Sequence, residues 1–194
     1  LVHRAFKKGF PQFDQYGNLK EKYNKFRLGK ETFLGLLKGV ARLFIKTQYA
    51  KMHSNEIGYV YFQEFIPNND YDIRVIVIGE KAFAIKRKVR KNDFRASGSG
   101  NVLFNKEDIN VECIKIAFDL NQKIGSQSIA YDFVFDEGKC PLVVEISYGF
   151  AVSFYDFCPG YWDVNLCWNE GKFNPQEWMV EELIKEIQLD ASKS

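Results

Sequence analysis

Two hairpin-like segments constrain the fold more than any other feature of the sequence. Residues 71–90 read YDIRVIVIGEKAFAIKRKVR, and residues 128–147 read SIAYDFVFDEGKCPLVVEIS. Both segments are rich in Val, Ile, Phe and Tyr, and a short polar turn divides each of them, which is the pattern of two antiparallel strands. Side chains alternate between the two faces of such strands. The sequence therefore predicts a sheet that is built from antiparallel hairpins.

The second segment places two carboxylates inside its predicted strands. If Glu137 and Gly138 form a two-residue turn, with Gly138 at positive φ, Asp132 faces Val143 and is the diagonal neighbour of Glu145, about 7–8 Å away at the backbone. Two carboxylates at this spacing can share a cation. A turn with an odd number of residues would place them on opposite faces. Two solvated carboxylates on an open sheet face are the alternative interpretation.

The alternation of each hairpin predicts one apolar face and one polar face. In the second hairpin, the predicted core face carries Tyr131, Phe133, Phe135, Leu142, Val144 and Ile146, and the other face carries Asp132, Glu145 and Ser147. In the first hairpin, a two-residue turn at Gly79 and Glu80 places Asp72, Arg74 and Arg87 on one face and Ile73, Val75, Val77, Ala82 and Ala84 on the other. The two polar faces are the candidate site.

Several helices are predicted around these hairpins. Residues 30–45 carry an apolar stripe at helical spacing, which favours core packing. A second helix spans about 105–123 with Gly125 as its cap, and a third begins at Asn174, with Pro175 and Glu177 in its first turn. Residues 58–66, GYVYFQEFI, are predicted to form a strand. Because helices and strands are mixed without strict alternation, the predicted class is α+β, an antiparallel sheet with flanking helices.

The composition of the chain limits the classes of partner that it is expected to bind. The net charge is +2, so the field of the whole chain favours neither nucleic acid nor a membrane surface, and no run of 18 apolar residues is present. A cytoplasmic protein is the default expectation. The four cysteines lack C-x-x-C spacing and are predicted to be free thiols, and two histidines supply little for Ser–His or Cys–His catalysis.

A basic segment and a small-residue loop follow the first hairpin. Residues 86–95 read KRKVRKNDFR, and residues 96–100 read ASGSG, whose backbone N–H groups can approach phosphate oxygens closely. A solvated strand edge or a nucleic-acid patch are alternatives for the basic residues. The neighbouring carboxylate pair favours phosphate binding, because triphosphate chemistry needs cations for the oxygens and carboxylates for Mg²⁺.

Four motifs in this order resemble a known family. YFQEFIPNNDYDIRVIVIG, KNDFRASGSG, IAYDFVF and PLVVEIS are similar to the C-terminal part of an ATP-grasp domain of the RimK-like glutamate-ligase type, over about residues 58–162. The resemblance implies an ATP-grasp-like fold. It also implies an ATP-dependent carboxylate–amine ligase that acts through an acyl phosphate, with ATP, a small carboxylic acid and an amine as partners. A small-molecule kinase and a nucleotide-binding module without ligase activity are the alternatives.

The resemblance also implies roles for individual residues. Glu64 and Phe65 would contact adenine, Asp72 the ribose, and Arg95 and Ser97 the phosphates. Asp132 and Glu145 would hold Mg²⁺, or Mn²⁺, and Ser147 stands where family members often carry Asn, which leaves open whether one metal or two bind. Arg87 and Arg95 would neutralise charge during phosphoryl transfer.

The resemblance also predicts how the chain is organised. Family members carry a phosphate-binding lysine and a glycine-rich loop upstream of the QEFI motif, and residues before Gly58 show no such unit, Lys46 being the one lysine with a strand-like flank. The expectation is a domain truncated at its N-terminus: a helical and loop segment at 1–57 from the small lobe, the ATP-grasp core at 58–165, and a helix and tail at 166–194. The aromatic loop after Ser147 is expected to border the acceptor pocket or to serve packing. No contact with nucleic acid or membrane is expected, and the oligomeric state is not predicted.

Overall fold

A computed structural model describes residues 2–9, 15–27, 29, 32–44, 57–90, 96–98 and 100–192. The chain divides into two compact units, residues 1–64 and residues 65–194. The second unit contains the sheet and most of the predicted site residues.

The first unit contains three helices in its described part. They are α1 (Val2–Lys7), α2 (Gln15–Arg27) and α3 (Phe33–Phe44). α2 and α3 pack on each other through small residues, since the Lys22 Nζ donates to the Gly35 carbonyl at 3.0 Å and a Cβ on Gly39 would touch Lys22. The predicted α3 helix is confirmed, but the expectation that its whole apolar stripe is core is wrong, because Phe33 is 61% exposed and Leu37 48% exposed.

One antiparallel sheet organises the second unit. Its strands are β1 (Tyr71–Ile78), β2 (Lys81–Lys88), β3 (Val102–Leu103), β4 (Ser128–Phe135), β5 (Pro141–Ser147), β6 (Gly160–Asp163) and β7 (Trp168–Glu170). The order across the sheet is β5-β4-β1-β2-β6-β7, and β3 pairs with β2. The predicted α+β class, an antiparallel sheet with flanking helices, is confirmed.

Two helices flank this sheet, and sequence signals define their ends. α4 (Val111–Ile124) begins after Asn110, whose side chain accepts from the Glu112 N–H, and ends at Gly125, which has φ 69°. The left-handed conformation of that cap favours glycine, so the predicted cap is confirmed. A short 3-10 turn at Lys106–Asp108 precedes α4, so the helix begins later than residue 105. α5 (Pro175–Ala191) begins where Asn174 accepts two backbone N–H groups, as predicted.

Both faces of the sheet are covered by apolar packing. On one face, Val75, Val77 and Phe133 pack with Cys113 and Ala117 of α4. On the other face, Ile76, Phe83 and Ile85 pack with Trp178 of α5 and with Tyr155. This second face is apolar where β1 ends and polar where β1 begins, which confines the candidate site to one end of the sheet.

The structure assigns neither strand nor helix to residues 57–70, so the predicted strand at 58–66 is wrong. The alternating pattern of this segment is suitable for a strand, but a strand also requires a hydrogen-bonded neighbour, which a local pattern does not supply. Among the described residues, no helix is both long and apolar enough to cross a membrane.

Candidate functional site

The first hairpin has the register that its sequence predicts. Gly79 and Glu80 form the turn, Gly79 at φ 55°, and every opposed pair of β1 and β2 follows from that turn, including Asp72 opposite Arg87. Asp72, Arg74 and Arg87 therefore share one face of the sheet, and Val75, Val77 and Ala84 share the other face with the core around α4. This prediction is confirmed.

The second hairpin has a longer turn than the sequence suggests. The Asp136 N–H donates to the Cys140 carbonyl at 3.1 Å, so the loop contains the three residues Glu137, Gly138 and Lys139. The residue at positive φ is Lys139, with φ 64°, and Gly138 is not. The Asp136 side chain stabilises the loop by accepting from the Cys140 N–H at 2.8 Å. The predicted two-residue turn with Gly138 at positive φ is therefore wrong.

A second irregularity compensates for this odd-length turn. Phe133 faces Val143, but Asp132 faces Glu145, so Val144 is an additional residue that β5 carries as a bulge. The turn alone would place Asp132 and Glu145 on opposite faces, and the bulge returns them to the same face. The shared face is confirmed, whereas the diagonal register is wrong because the two residues stand directly opposite each other.

The predicted core face of β5 is only partly right, because Ile146 lies opposite Tyr131 as expected, but Val143 and not Leu142 lies opposite Phe133. Val143 packs against the core around α4, while Leu142 is 36% exposed and Ile146 is 54% exposed. β5 is the outer strand of the sheet beside β4, so its side chains have fewer neighbours than those of β4.

Four charged side chains on the polar face form one network, which we call the ion cluster: Asp72, Arg74, Arg87 and Asp132. Arg87 binds Asp72 through two hydrogen bonds of 2.6 and 2.7 Å, and Arg74 binds Asp132 through two hydrogen bonds of 2.6 Å. The Arg87 Nη2 also lies 3.0 Å from the Asp132 Oδ2, which joins the two pairs across β1. The network has two positive and two negative groups and is nearly enclosed, since Asp132 is 5% exposed and Arg87 is 6% exposed.

The electrostatics of the ion cluster follow from its burial and pairing. The hydrogen bonds from Arg74 to Asp132 raise the pKa of Arg74 against the opposing effect of burial. Burial raises the pKa of Asp72, although its hydrogen bonds with Arg87 partly offset this effect. For Arg87, burial lowers the pKa, but the hydrogen bonds with Asp72 and the charge of Asp132 outweigh burial and raise it. Both arginines therefore stay charged at every accessible pH.

Tyr155 extends this network into the chain that follows β5. It belongs to a 3-10 turn at Val152–Tyr155, and its hydroxyl lies close enough to the Arg74 guanidinium to interact with its charge. Burial raises the pKa of Tyr155, and the positive charge of Arg74 partly opposes that rise. Tyr155 is 4% exposed, so its side chain is held within the packed core beside Arg74. The sequence placed Arg74 on the polar face without a role and did not single out Tyr155.

The predicted metal ligands differ in how accessible they are. Glu145 is exposed and faces Asp132, and Ser147 is half-buried and faces Ala130, two residues further along the same face. Both oxygens of Asp132 accept hydrogen bonds from arginine. The described residues contain no group of three or more His, Cys, Asp or Glu side chains that could hold a metal ion. Mg²⁺ in proteins commonly binds one or two carboxylates together with phosphates and waters. Asp132 and Glu145 therefore fit a metal ion that binds together with a triphosphate.

The other predicted residues lie at several places. Glu64 ends the first unit and is exposed, and Phe65 begins the second unit and is 62% exposed. Arg95 lies outside the described residues. Ser97 is exposed, and its carbonyl accepts from the Arg90 Nη2 at 2.8 Å. Arg90 therefore stabilises the predicted phosphate loop through this hydrogen bond. Its role was not predicted from the sequence.

A comparison with solved structures finds two macrocyclases from Microcystis aeruginosa MRC. One is MdnC, determined with its precursor peptide MdnA, at 14% identity and a TM-score of 0.39, over 61% of this chain and 34% of that chain. The other is MdnB, at 16% identity and a TM-score of 0.37, over 73% of this chain and 51% of that chain. This chain thus spans about a third to a half of these enzymes. No curated protein matches the sequence.

A family model gives the assignment. The model that describes the RimK-like ATP-grasp domain matches residues 32–153, which is more than half of the chain. The matched range includes both hairpins, the ion cluster, Glu145 and Ser147. ATP-grasp domains bind ATP, generally together with Mg²⁺. The chain belongs to the RimK-like ATP-grasp family.

Proposed function

We propose that the protein joins a carboxylic acid to an amine in an ATP- and Mg²⁺-dependent reaction that proceeds through an acyl phosphate. Membership of the RimK-like ATP-grasp family supports ATP-dependent ligase chemistry in general. The observation that carries the finer proposal is the placement of Asp132 opposite Glu145, beside Arg74 and Arg87, on one face of the sheet. Phosphoryl transfer needs this combination of carboxylates for metal and cations for phosphate oxygens.

Asp132 has two competing sets of partners in this proposal. In the structure, its oxygens accept hydrogen bonds from Arg74 and form an ion pair with Arg87. A lone Mg²⁺ at Glu145 would be repelled by the two guanidinium groups, since like charges at such distances disfavour each other in a partly buried site. Phosphate oxygens are strong partners for arginine and would release Asp132. Nucleotide and metal should therefore bind together.

Each residue then has a definite task. Asp132 and Glu145 would hold Mg²⁺, which would supply neutralisation of the phosphate charge. Arg74 and Arg87 offer N–H donors to the phosphate oxygens, and the buried Tyr155 packs beside Arg74. Asp72 keeps further acceptor positions beside its two hydrogen bonds with Arg87, so a ribose hydroxyl can still donate to it. Arg95 and Ser97 are proposed phosphate contacts, and Glu64 and Phe65 proposed adenine contacts, on the basis of the family pattern.

Trapping of the acyl phosphate tests the proposal. The protein, expressed from its complete reading frame, is incubated with ATP, Mg²⁺, a panel of carboxylic acids and hydroxylamine. A hydroxamate and ADP are expected, because hydroxylamine attacks an acyl phosphate. Glu145→Gln should abolish the product, whereas Glu137→Gln, a neutralised carboxylate in the exposed turn of the same hairpin, should not.

Other products would contradict the proposal in distinct ways. ADP with a phosphorylated alcohol, and no hydroxamate from any acid, would identify a small-molecule kinase. AMP and pyrophosphate would indicate an acyl adenylate, in which a different phosphate is transferred. Nucleotide binding without any turnover would identify a binding module.

A further inference from the structure

Three phenylalanine rings form a partly solvent-exposed group, which we call the aromatic patch: Phe104, Phe154 and Phe157. The ring centroid of Phe104 lies 6.4 Å from that of Phe154 and 5.7 Å from that of Phe157. Phe157 is 74% exposed and Phe154 is 45% exposed. Rings that serve only packing are largely buried, and burying such a side chain is favourable. The aromatic patch therefore offers apolar surface that a ligand could cover.

The aromatic patch lies beside the ion cluster. The ring centroids of Phe154 and Tyr155 are 5.9 Å apart, and the Tyr155 hydroxyl lies close to the guanidinium of Arg74, which binds Asp132. One aromatic ring thus separates the patch from the guanidinium of Arg74. The ring of the buried Phe83 packs against the Tyr155 ring, with centroids 5.2 Å apart, so the position of Tyr155 is stabilised by the core.

A second segment connects the aromatic patch to the other arginine. Phe104 directly follows β3, and Val102 of β3 pairs with Arg87 of β2. Both Val102 and Phe104 pack against the core of the same sheet face. The patch is therefore tied to the ion cluster from two sides, through Tyr155 to Arg74 and through β3 to Arg87.

The chemistry of the segment after β5 indicates what it can bind. Residues 148–157, YGFAVSFYDF, contain four phenylalanine and tyrosine rings in addition to Tyr148, one carboxylate at Asp156, and no lysine or arginine. A subsite that binds a phosphate, or a second carboxylate group of the substrate, would offer charged hydrogen-bond donors. The segment 148–157 offers aromatic rings instead. A substrate acid needs a cation for its reacting carboxylate, and Arg74, next to Tyr155, can supply it.

We propose that the aromatic patch binds the aromatic or aliphatic side group of the carboxylic acid substrate. This inference rests on the proposed function and narrows its substrate class to acids with an apolar side group. With the carboxylate of the acid near Arg74, its side group lies over Phe154 and Phe157. Phe154 and Phe157 are then specificity-determining residues.

Direct binding of two acids tests the inference without requiring turnover. The protein from the complete reading frame, with Mg²⁺ and a non-hydrolysable ATP analogue, is titrated by calorimetry with 3-phenylpropanoate and with propanoate. The ring should improve affinity about tenfold or more, as expected for burial of an aromatic group. Phe154→Ser and Phe157→Ser should remove this preference and leave affinity for the ATP analogue unchanged. Ile124→Ser, which alters a residue 51% exposed at the end of α4, is the matched control and should keep it.

Each alternative result overturns the inference. Equal affinity for the two acids, or binding of neither, shows that the patch is not an acid subsite. Weaker binding of the ATP analogue in the serine variants would place the nucleotide base there, and a dimer that the variants dissociate would show that a second copy covers the patch. A preserved preference for 3-phenylpropanoate without hydroxamate formation would keep the subsite and reject the ligase reaction. Hydroxamate formation without a preference for 3-phenylpropanoate would support the ligase reaction and reject the subsite.

Discussion

Neutralising Asp132 separates its structural role from its proposed role in binding. Asp132 is 5% exposed and accepts three contacts from two arginines, at 2.6, 2.6 and 3.0 Å. In Asp132→Asn, Arg74 loses its only ion-pair partner among the described residues, and the ion cluster changes from neutral to a charge of +1. Removing one member of a buried ion pair costs about 3–5 kcal/mol. The side chain of Arg74 is 18% exposed and reaches some water, so we expect about 3 kcal/mol, the lower end of that range.

This loss can be measured by thermal unfolding. For a chain of this size, about 3 kcal/mol corresponds to a decrease in Tm of about 6–12 °C. The matched variant Glu145→Gln changes an exposed carboxylate directly opposite, so its stability should change by less than about 0.5 kcal/mol. Both variants should lose Mg²⁺-dependent affinity for ATP in calorimetry, because each removes a proposed metal ligand.

A double-mutant cycle identifies the cause of the decrease. Asp132→Asn combined with Arg74→Gln removes both charges, so the double variant should be less destabilised than the sum of the single variants by about 1–3 kcal/mol. An unchanged Tm in Asp132→Asn would refute the electrostatic argument. Unchanged Mg²⁺-dependent ATP affinity in both Asp132→Asn and Glu145→Gln would remove these residues from the metal site.

Three further predictions concern the fold around the site. Burial raises the pKa of the Cys113 and Cys158 thiols to about 12, so iodoacetamide at pH 8 should label only the two exposed cysteines, as read by mass spectrometry, until the protein is unfolded. Asn174→Ala removes the cap of α5 and should cost about 1 kcal/mol in chemical denaturation, and a cost near zero would mean that the cap is redundant. In Gly160→Ala, the new methyl group would collide with the backbone carbonyl of Asn169 on the paired strand, so a loss of about 1–3 kcal/mol is expected, and an undiminished Tm would contradict this packing.

The first hairpin could be predicted from the sequence, and the second only in part. In the first, Gly79 and Glu80 form a two-residue turn, and turn length alone determines every later pair. In the second, Lys139 takes a left-handed conformation, which lysine rarely adopts. Val144 adds a bulge that cannot be recognised from the alternation of polar and apolar residues. The two errors cancel at Glu145 and leave it on the predicted face.

The charge pairing could not be predicted because it depends on contacts between distant segments. Alternation places Asp72, Arg74 and Arg87 on one face, but Arg74 binds Asp132, a residue 58 positions further along the chain. That pairing depends on the register between β1 and β4, in which Arg74 faces Asp132. The role of Tyr155 was missed for the same reason, since only the folded chain brings its hydroxyl to Arg74.

The compensation within the β4–β5 hairpin links its turn length to its bulge. Asp132 and Glu145 are separated by 12 residues, and a regular hairpin places two residues at that even spacing opposite each other only if its turn has an even length. With the three-residue turn, the bulge at Val144 is therefore what allows the two carboxylates to face each other. A related chain with the same spacing and no bulge should carry a turn of even length, whereas a chain that lacks only the residue at Val144 should keep both the three-residue turn and the facing carboxylates.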